Sequence, residues 1–179
     1  AAREEKGNYG YSILPDEWSR SYVDWWKKRH GLDLDPEKLI FVTGIVPAIS
    51  SAVRKLTTPA ENVLVQTPTY NIFFNSIYNN GRNIVENKLL YDGERYRVDW
   101  GKLEEQLSDP QTTLMILCNP HNPIGKIWDK ETLTRVGELC SKYDVTVLSD
   151  EIHCDLTAPG REYVPFASVN ETCRNISLT

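Results

Sequence analysis

Short apolar runs alternate with helix-length segments along most of the chain. The runs Val63–Val65, Thr113–Cys118 and Val145–Ser149 have the length and composition of buried strands. The segments Ala48–Leu56 and Asp129–Tyr143 have the length of helices, and the second has an apolar side. A chain in which strands and helices alternate builds a mostly parallel sheet with helices on both faces. The sequence therefore predicts a three-layer α/β/α fold.

The same pattern divides the chain into two parts. Residues 1–31 are predicted to form an arm and a connecting helix, and residues 32–179 one large domain. Asp92-Gly93 suits a hairpin turn. The predicted strands are Leu39–Thr43, Glu61–Gln66, Asn83–Leu90, Thr113–Cys118, Val145–Ser149 and Arg174–Thr179. The predicted helices are Pro15–Gly31, Ala48–Leu56, Tyr70–Tyr78, Asp99–Leu107 and Asp129–Tyr143.

The composition is that of an ordinary globular protein. Hydrophobic residues are 40% of the chain and charged residues 25%. No apolar run approaches the roughly 20 residues of a membrane helix. The net charge is -5 without any basic run, so a nucleic-acid-binding surface is not expected. Chemistry on a small molecule is the favoured class of function.

The four cysteines have neither CxxC spacing nor a signal peptide nearby, so neither a zinc site nor a disulfide framework is expected. They are predicted to be reduced, mostly buried thiols in a cytoplasmic protein. They are Cys118, Cys140, Cys154 and Cys173.

Paired carboxylates, Asp150 and Glu151, follow the apolar run that ends at Ser149. In open α/β sheets, ligands bind in the crevice at the carboxyl ends of strands, so an acid there can meet a ligand and hold a buried cation. The alternative is a strand-end acid that caps the next turn. This stretch alone does not decide between the two interpretations.

The loop Thr43–Ala48 has the features of a phosphate site. Gly44 permits a sharp turn, and the amides of Ile45 and Val46 would lie at a helix start, where unpaired donors and the helix dipole attract anions. The loop lacks the Lys of a Walker motif and the three glycines of a dinucleotide fingerprint. A plain strand-to-helix turn is the alternative.

Two further loops follow predicted strands. Tyr70 comes just after a strand end, where its ring could lie flat against a planar ligand or pack in the core. The segment Asn119–Gly125 holds two Asn-Pro pairs, and each proline forces the residue before it out of the helical region. Asn122 is therefore expected to be extended, with its amide free to donate to a ligand oxygen. A structural Asx turn is the alternative.

Together these motifs resemble the fold-type I enzymes that use pyridoxal 5′-phosphate (PLP). The resemblance is strongest to the cystathionine β-lyase (MalY/PatB) branch, which includes carbon-sulfur lyases of oral streptococci, and it covers essentially the whole chain. Ile124 departs from the threonine common in that family. The motifs are Tyr9-Gly10-Tyr11-Ser12, Gly44-Ile45-Val46-Pro47-Ala48, Thr67-Pro68-Thr69-Tyr70, Asn119-Pro120-His121-Asn122-Pro123-Ile124-Gly125 and Ser149-Asp150-Glu151-Ile152-His153.

The resemblance implies PLP as the cofactor and gives residues roles at its ring. Asp150 would pair with the protonated pyridine nitrogen and favour the charged ring. Asn122 would donate to the phenolic oxygen, and His153 would lie on the same side. Tyr70 would stack on the ring. In this reading Asp150 and Tyr70 are the catalytic residues of the chain.

The resemblance also gives roles at the cofactor phosphate. The backbones of Ile45 and Val46 would bind the phosphate of the same subunit, and Tyr11 would reach the phosphate of the partner subunit. The second contact implies a homodimer.

The Schiff-base lysine of the family is expected shortly after the segment Arg174–Thr179, and so is absent from this chain. Lys126 is in a different loop. The family's arginine for the substrate carboxylate would also lie further along. The chain is therefore predicted to be a segment, truncated before the lysine and inactive alone.

For the complete protein, the resemblance implies a carbon-sulfur β-lyase. L-Cysteine would give hydrogen sulfide, and L-cystathionine would give homocysteine, each together with pyruvate and ammonia. An aminotransferase of the same fold is the nearest alternative, and a non-catalytic regulatory or binding domain is an alternative of another class. A metal site built from Asp150, His153, Cys154 and Asp155 is disfavoured, because neighbours on an extended strand point to opposite faces and cannot all converge.

Overall fold

The chain divides into two units, residues 1–40 and residues 41–179, of which the computed structural model describes residues 13–179. The domain division predicted at residue 31 remains a prediction. No helix in this described part is long and apolar enough to cross a membrane.

In the described part of the first unit, residues 13–40, a long helix, α1, forms at Asp16–His30, as predicted. It ends at Gly31, whose left-handed φ of 65° closes the last turn. Aromatic residues four apart pack along one side of the helix. The ring centroids of Trp18 and Tyr22 are 5.6 Å apart, and those of Tyr22 and Trp26 are 6.1 Å apart. The aromatic residues on this side are thus a packing feature of the helix.

The second unit is built on a five-stranded sheet. All neighbouring strands are parallel, in the order β2-β1-β5-β6-β7. The strands are β1 at Asn62–Thr67, β2 at Asn83–Lys88, β5 at Thr112–Cys118, β6 at Thr146–Asp150 and β7 at Ser177–Leu178. A separate antiparallel hairpin consists of β3 at Leu90–Tyr91 and β4 at Tyr96–Arg97. Its turn contains Gly93 at φ 98°, which confirms the turn predicted there.

Helices cover both faces of the sheet. The helices of this unit are α2 at Ile45–Leu56, α3 at Ile72–Tyr78, α4 at Trp100–Leu107, α5 at Lys130–Lys142 and α6 at Glu171–Asn175. Helices α2 and α3 share one apolar cluster with alternate residues of the central strands. Helices α4, α5 and α6 share the other cluster with the remaining residues. The predicted three-layer fold with a mostly parallel sheet is confirmed.

The predicted strand at Leu39–Thr43 is wrong. No strand forms there, and Ile40 and Phe41 are 79% and 53% exposed. A strand needs a ladder of backbone hydrogen bonds to a neighbouring strand, and no strand among residues 13–179 pairs with this segment. The apolar composition of the run is therefore not sufficient to form a strand.

The predicted strand at Arg174–Thr179 is also partly wrong. Its first two residues belong to α6, because the side chain of Asn170 accepts a 2.8 Å hydrogen bond from the backbone N–H of Cys173 and caps a helix there. Only Ser177–Leu178 pairs with β6.

Candidate active site

Three parallel strands end at one edge of the sheet, at Thr67, Cys118 and Asp150. Cys118 is the register partner of Asp150 across β5 and β6. Immediately beyond, the N–H of Asn119 donates a 3.0 Å hydrogen bond to the carbonyl of Asp150. The loop that begins at Asn119 is therefore fastened to the end of β6, beside the acid.

Asp150 lies on the face of the sheet that α2 and α3 cover. Side chains alternate between faces along a strand, and Leu148, two residues earlier, packs with α2 and α3. Cys118 belongs to the same cluster. The acid, the thiol and the two helices therefore share one side of the sheet, at its carboxyl edge.

The Asp150 carboxylate is buried, with 8% of the residue exposed. Burial raises the pKa of this carboxyl, while the Ile152 N–H, 3.2 Å from Oδ1, and the nearby His153 lower it. No Lys or Arg among residues 13–179 forms an ion pair with it. A buried acid at a strand end without a strong cationic partner is suited to bind a cationic ligand group.

Asn122 reaches the same thiol from the other side. Its backbone N–H donates a 3.4 Å hydrogen bond to the Cys118 sulfur. Burial, together with the charge of Asp150, raises the pKa of Cys118 to about 12, so the sulfur is a neutral thiol. The Asn122 side-chain amide has no hydrogen-bond partner within the described range and is available to a ligand.

His121 joins this loop to the loop after β1. Its Nε2 atom is 2.9 Å from the carbonyl oxygen of Pro68, and its ring lies edge-on to Trp128 at 5.8 Å. A carbonyl only accepts, so Nε2 carries the hydrogen. Burial lowers the pKa of His121, which favours the neutral ring. The peptide bonds before Pro68, Pro120 and Pro123 are all cis.

Tyr70 follows two residues after Pro68 and is 39% exposed. Its ring meets Phe73 edge-on, with centroids 5.9 Å apart and planes at 84°. Phe73 is in the apolar cluster under α2 and α3, so Tyr70 stands on the same side of the sheet as Asp150. Its ring is supported at one edge and remains accessible.

The first turn of α2 offers backbone donors. Gly44 is its N-cap residue, and the first helical bond runs from the Ala48 N–H to the Gly44 carbonyl at 3.1 Å. The N–H groups of Ile45 and Val46 find no acceptor among residues 13–179. Their side chains are partly exposed, while Ile49 packs toward the sheet.

The direction of α2 follows from the chain path. Only residues 57–61 connect its C-terminus to the start of β1, so that end lies at the amino edge of the sheet. A helix of 12 residues is about 18 Å long, which carries its N-terminus toward the carboxyl edge. The donors of Ile45 and Val46 are thus directed to the edge that holds Asp150.

An open cleft of about 570 Å³ separates the loop after β5 from the chain after β6. Asn122, Gly125 and Ile127 line one wall, and His153 and Arg161 line the other. Two of the predicted contacts therefore face a common space.

Two other roles were possible near this site, one for Lys126 and one for a metal at Asp150 and His153. Lys126 directs its Nζ over the Trp128 ring at 5.1 Å. Asp150 and His153 are not part of any group of three metal-ligating side chains within 4.8 Å in the described chain. The predicted contact of Tyr11 falls outside the described residues.

Sequence reasoning assigned no separate role to two buried residues, His121 and Glu151. His121 lies within the double Asn-Pro motif, and a histidine between two Asn-Pro pairs is an unusual feature that could have identified it. Glu151 was considered only as one of two paired acids. Strand alternation distinguishes Glu151 from Asp150, because it directs adjacent side chains to opposite faces of the sheet.

The family model of aminotransferase class I and II matches residues 1–174. The chain belongs to this family. Within it, the chain is 44% identical over 178 residues to cystathionine beta-lyase PatB of Bacillus subtilis, covering 99% of this chain and 46% of that protein. The chain therefore spans just under half of that relative.

Solved structures of the family have the same fold. Cystalysin from Treponema denticola, whose structure contains pyridoxal 5′-phosphate, matches with a TM-score of 0.91 at 36% identity, over 94% of this chain and 43% of that one. N-Succinyldiaminopimelate aminotransferase from Mycobacterium tuberculosis matches with a TM-score of 0.78 at 27% identity, over 83% and 39% of the two chains. The resemblance to PLP fold-type I proteins and the predicted fold are confirmed, while the roles of individual site residues remain predictions.

Proposed function

We propose that the complete protein is a PLP-dependent carbon-sulfur β-lyase and that these residues form the larger part of its cofactor site. The observation that carries the proposal is the buried Asp150 carboxylate, without an ion-pair partner in residues 13–179. The Asn122 side-chain amide belongs to the same site, because the Asn122 backbone N–H bonds to Cys118, the register partner of Asp150. Similarity to a named cystathionine beta-lyase over 99% of the chain supports the choice of reaction.

The donor and acceptor groups fit PLP. Asp150 would hold the protonated ring nitrogen, and the Asn122 amide would donate to the phenolic oxygen, with His153 on the same side. Tyr70 would cover a ring face. The N–H groups of Ile45 and Val46 would bind the phosphate at the N-terminus of α2. When bound, PLP supplies an electron sink for charge that develops at the substrate α-carbon.

The proposed substrates are L-cystathionine and L-cysteine. Loss of the α-proton and of the β-thiol releases homocysteine or hydrogen sulfide, and the remaining three-carbon fragment takes up one water molecule to give pyruvate and ammonia. Asp150 contributes by keeping a positive charge on the ring nitrogen. Each unit by which Asp150 raises the pKa of that nitrogen corresponds to about 1.4 kcal/mol in favour of the charged ring.

The test is a pyruvate assay of the complete protein with L-cystathionine and no keto acid. We expect pyruvate release, and a loss of about 100-fold or more in the Asp150→Ala variant with the fold retained. If product forms only when a keto acid is supplied, the aminotransferase alternative holds. Absence of both activities and of the visible absorbance of bound PLP favours a non-catalytic domain.

Three narrower expectations belong to the same proposal. The 179-residue chain alone is expected to be inactive, because the lysine that carries the α-proton in the family is not among its residues. The complete protein is expected to be a homodimer, on the strength of the family resemblance. A cytoplasmic location is supported by four free, buried cysteines. Analytical sedimentation tests the dimer, and cell fractionation tests the location.

A further inference from the structure

Glu151 is buried on the side of the sheet opposite to Asp150. Its Oε1 atom accepts two hydrogen bonds, from the Ser149 hydroxyl at 2.7 Å and from the Phe166 N–H at 2.9 Å. Only 6% of the residue is exposed. One carboxylate oxygen therefore connects the end of β6 to a backbone group 15 residues further along the chain.

Tyr163 is an electrostatic neighbour of the same carboxylate. Burial, followed by the charge of Glu151, raises the pKa of the Tyr163 phenol, so its hydroxyl keeps its hydrogen at all ordinary pH values. The Glu151 carbonyl also accepts a 2.9 Å hydrogen bond from the Cys154 N–H. Both ends of the segment 152–165 are thus attached to this one residue.

The segment 152–165 forms one wall of the cleft. His153 and Arg161 line the cleft, and Leu156 is 78% exposed. No regular helix or strand forms between β6 and the short 3-10 helix at Phe166–Ser168. The position of the wall therefore depends on its attachments rather than on secondary structure of its own.

We propose that Glu151 is a positioning residue. It holds the two ends of the segment 152–165 together and thereby positions His153 and the Asp150 carboxylate for the cofactor. This inference rests on the proposed function and adds a residue that does not touch the cofactor. It separates the two paired acids by role, with Asp150 facing the ligand and Glu151 fixing the chain behind it.

The neutral acid is able to serve this role. Burial raises the pKa of Glu151, and the carboxyl oxygen accepts from Ser149 and Phe166 with or without its proton. A glutamine at this position keeps the same acceptor oxygen and size, whereas alanine removes it. Comparing the two variants shows whether the acceptor oxygen of residue 151 is what matters, since glutamine keeps it and lacks the charge.

The experiment uses the complete protein with PLP. Glu151→Ala, Glu151→Gln and the matched control Glu162→Ala are compared, since Glu162 is an exposed acid on the same segment. The measurements are the Kd for PLP, its visible absorption spectrum, kcat and KM for L-cystathionine, and proteolysis within 152–165. Circular dichroism confirms that each variant is folded.

We expect Glu151→Ala to weaken PLP binding, to change the spectrum, to open the segment to proteolysis and to lower kcat/KM by as much as about 100-fold. Glu151→Gln should restore most of each property, and Glu162→Ala should match wild type. A folded Glu151→Ala protein with wild-type PLP affinity and spectrum overturns the proposal, as does a Glu151→Gln protein as impaired as the alanine variant.

If Glu151→Ala does not fold, Ser149→Ala decides, because it removes the hydroxyl that donates to the Glu151 carboxylate at 2.7 Å and leaves the carboxylate in place. Weaker PLP binding and faster proteolysis support the inference, and unchanged values overturn it. The binding, spectral and proteolysis measurements do not depend on which reaction is catalysed. A wild-type protein that binds PLP but makes no pyruvate thus refutes the lyase assignment alone.

Discussion

The Nε2 atom of His121 lies 2.9 Å from the carbonyl oxygen of Pro68, which connects the loops that follow β5 and β1. Asn122 is the next residue in one loop, and Tyr70 is two residues further in the other. The histidine is 1% exposed and packs against Trp128. The two proposed ring contacts are therefore held relative to each other by a side chain that lies between them.

Replacing His121 should loosen both contacts together. In His121→Ala the Pro68 carbonyl loses its donor, at a cost of about 1 to 3 kcal/mol for a buried unsatisfied group. We expect a lower Tm and a higher Kd for PLP, with partial recovery in His121→Gln, which keeps a donor. Thermal melts and PLP titrations check this, and wild-type affinity in the alanine variant would contradict it.

The same histidine predicts acid sensitivity. Burial lowers its folded pKa below the ordinary 6.5, so below that pH the unfolded chain takes up a proton that the folded chain does not. Stability from this group is therefore fully present above about pH 6.5 and declines as the pH falls toward the folded pKa. The Tm of His121→Gln should fall less than that of wild type between pH 7 and pH 5. Equal slopes would show that another group controls the acid limb.

Asp150 should change stability with pH in the opposite direction to His121. Its folded pKa is raised by burial, so the folded protein without cofactor binds more protons than the unfolded chain above pH 3.8, and stability declines as the pH rises through the folded pKa. Asp150→Asn removes this buried charge. We expect the PLP-free variant to have a higher Tm than PLP-free wild type at pH 7, together with much weaker PLP binding.

A comparison of PLP-free and PLP-loaded melts checks the Asp150 prediction. Wild type should gain more from added PLP than the variant, because a ligand that binds only the folded state raises the free energy of unfolding more when its Kd is lower, by an amount that grows with the logarithm of the ratio of PLP concentration to Kd. A PLP-free variant less stable than PLP-free wild type would mean that the carboxylate stabilises the fold itself. The control is Asp24→Asn, which neutralises an exposed acid on α1.

Local signals in the sequence predicted much of the fold. Asp99 and Asp129 each begin a helix as N-cap acids, with side chains that accept hydrogen bonds from Lys102 and Thr132. These contacts span three residues, so the sequence pattern contains them. Strand pairing is not local, which is why Leu39–Thr43 was mistaken for a buried strand.

The site was predictable only in outline. The residue types at the strand ends indicated Asp150, Asn122 and Tyr70 as ligand contacts. The link from His121 to Pro68 spans 53 residues and the link from Glu151 to Phe166 spans 15. Neither is encoded in a local motif, because each depends on how adjacent strands place their loops. Groups that hold the site are therefore harder to find from sequence than groups that face a ligand.

The final prediction concerns Arg82, which contacts the C-terminus of α2, the helix that carries the proposed phosphate site at its other end. It is buried, and its guanidinium donates to Thr57 Oγ1 at 2.8 Å, to the Thr57 carbonyl at 2.5 Å and to the Arg54 carbonyl at 3.2 Å. These groups lie at or just after the C-terminus of α2, where unpaired carbonyls and the negative end of the dipole favour a cation.

Arg82→Ala should therefore destabilise the protein by about 2 to 3 kcal/mol, since several hydrogen bonds to a charged donor are lost and the carbonyls stay buried. Arg82→Lys should recover only part, because an ammonium cannot reproduce the planar fork of donors. Denaturant titration of both variants, beside the exposed control Arg95→Ala, measures the effect. If Arg82→Ala were as stable as Arg95→Ala, the C-terminus of α2 would need no side-chain cap, and the anchoring of this helix would rest on its apolar contacts with the sheet.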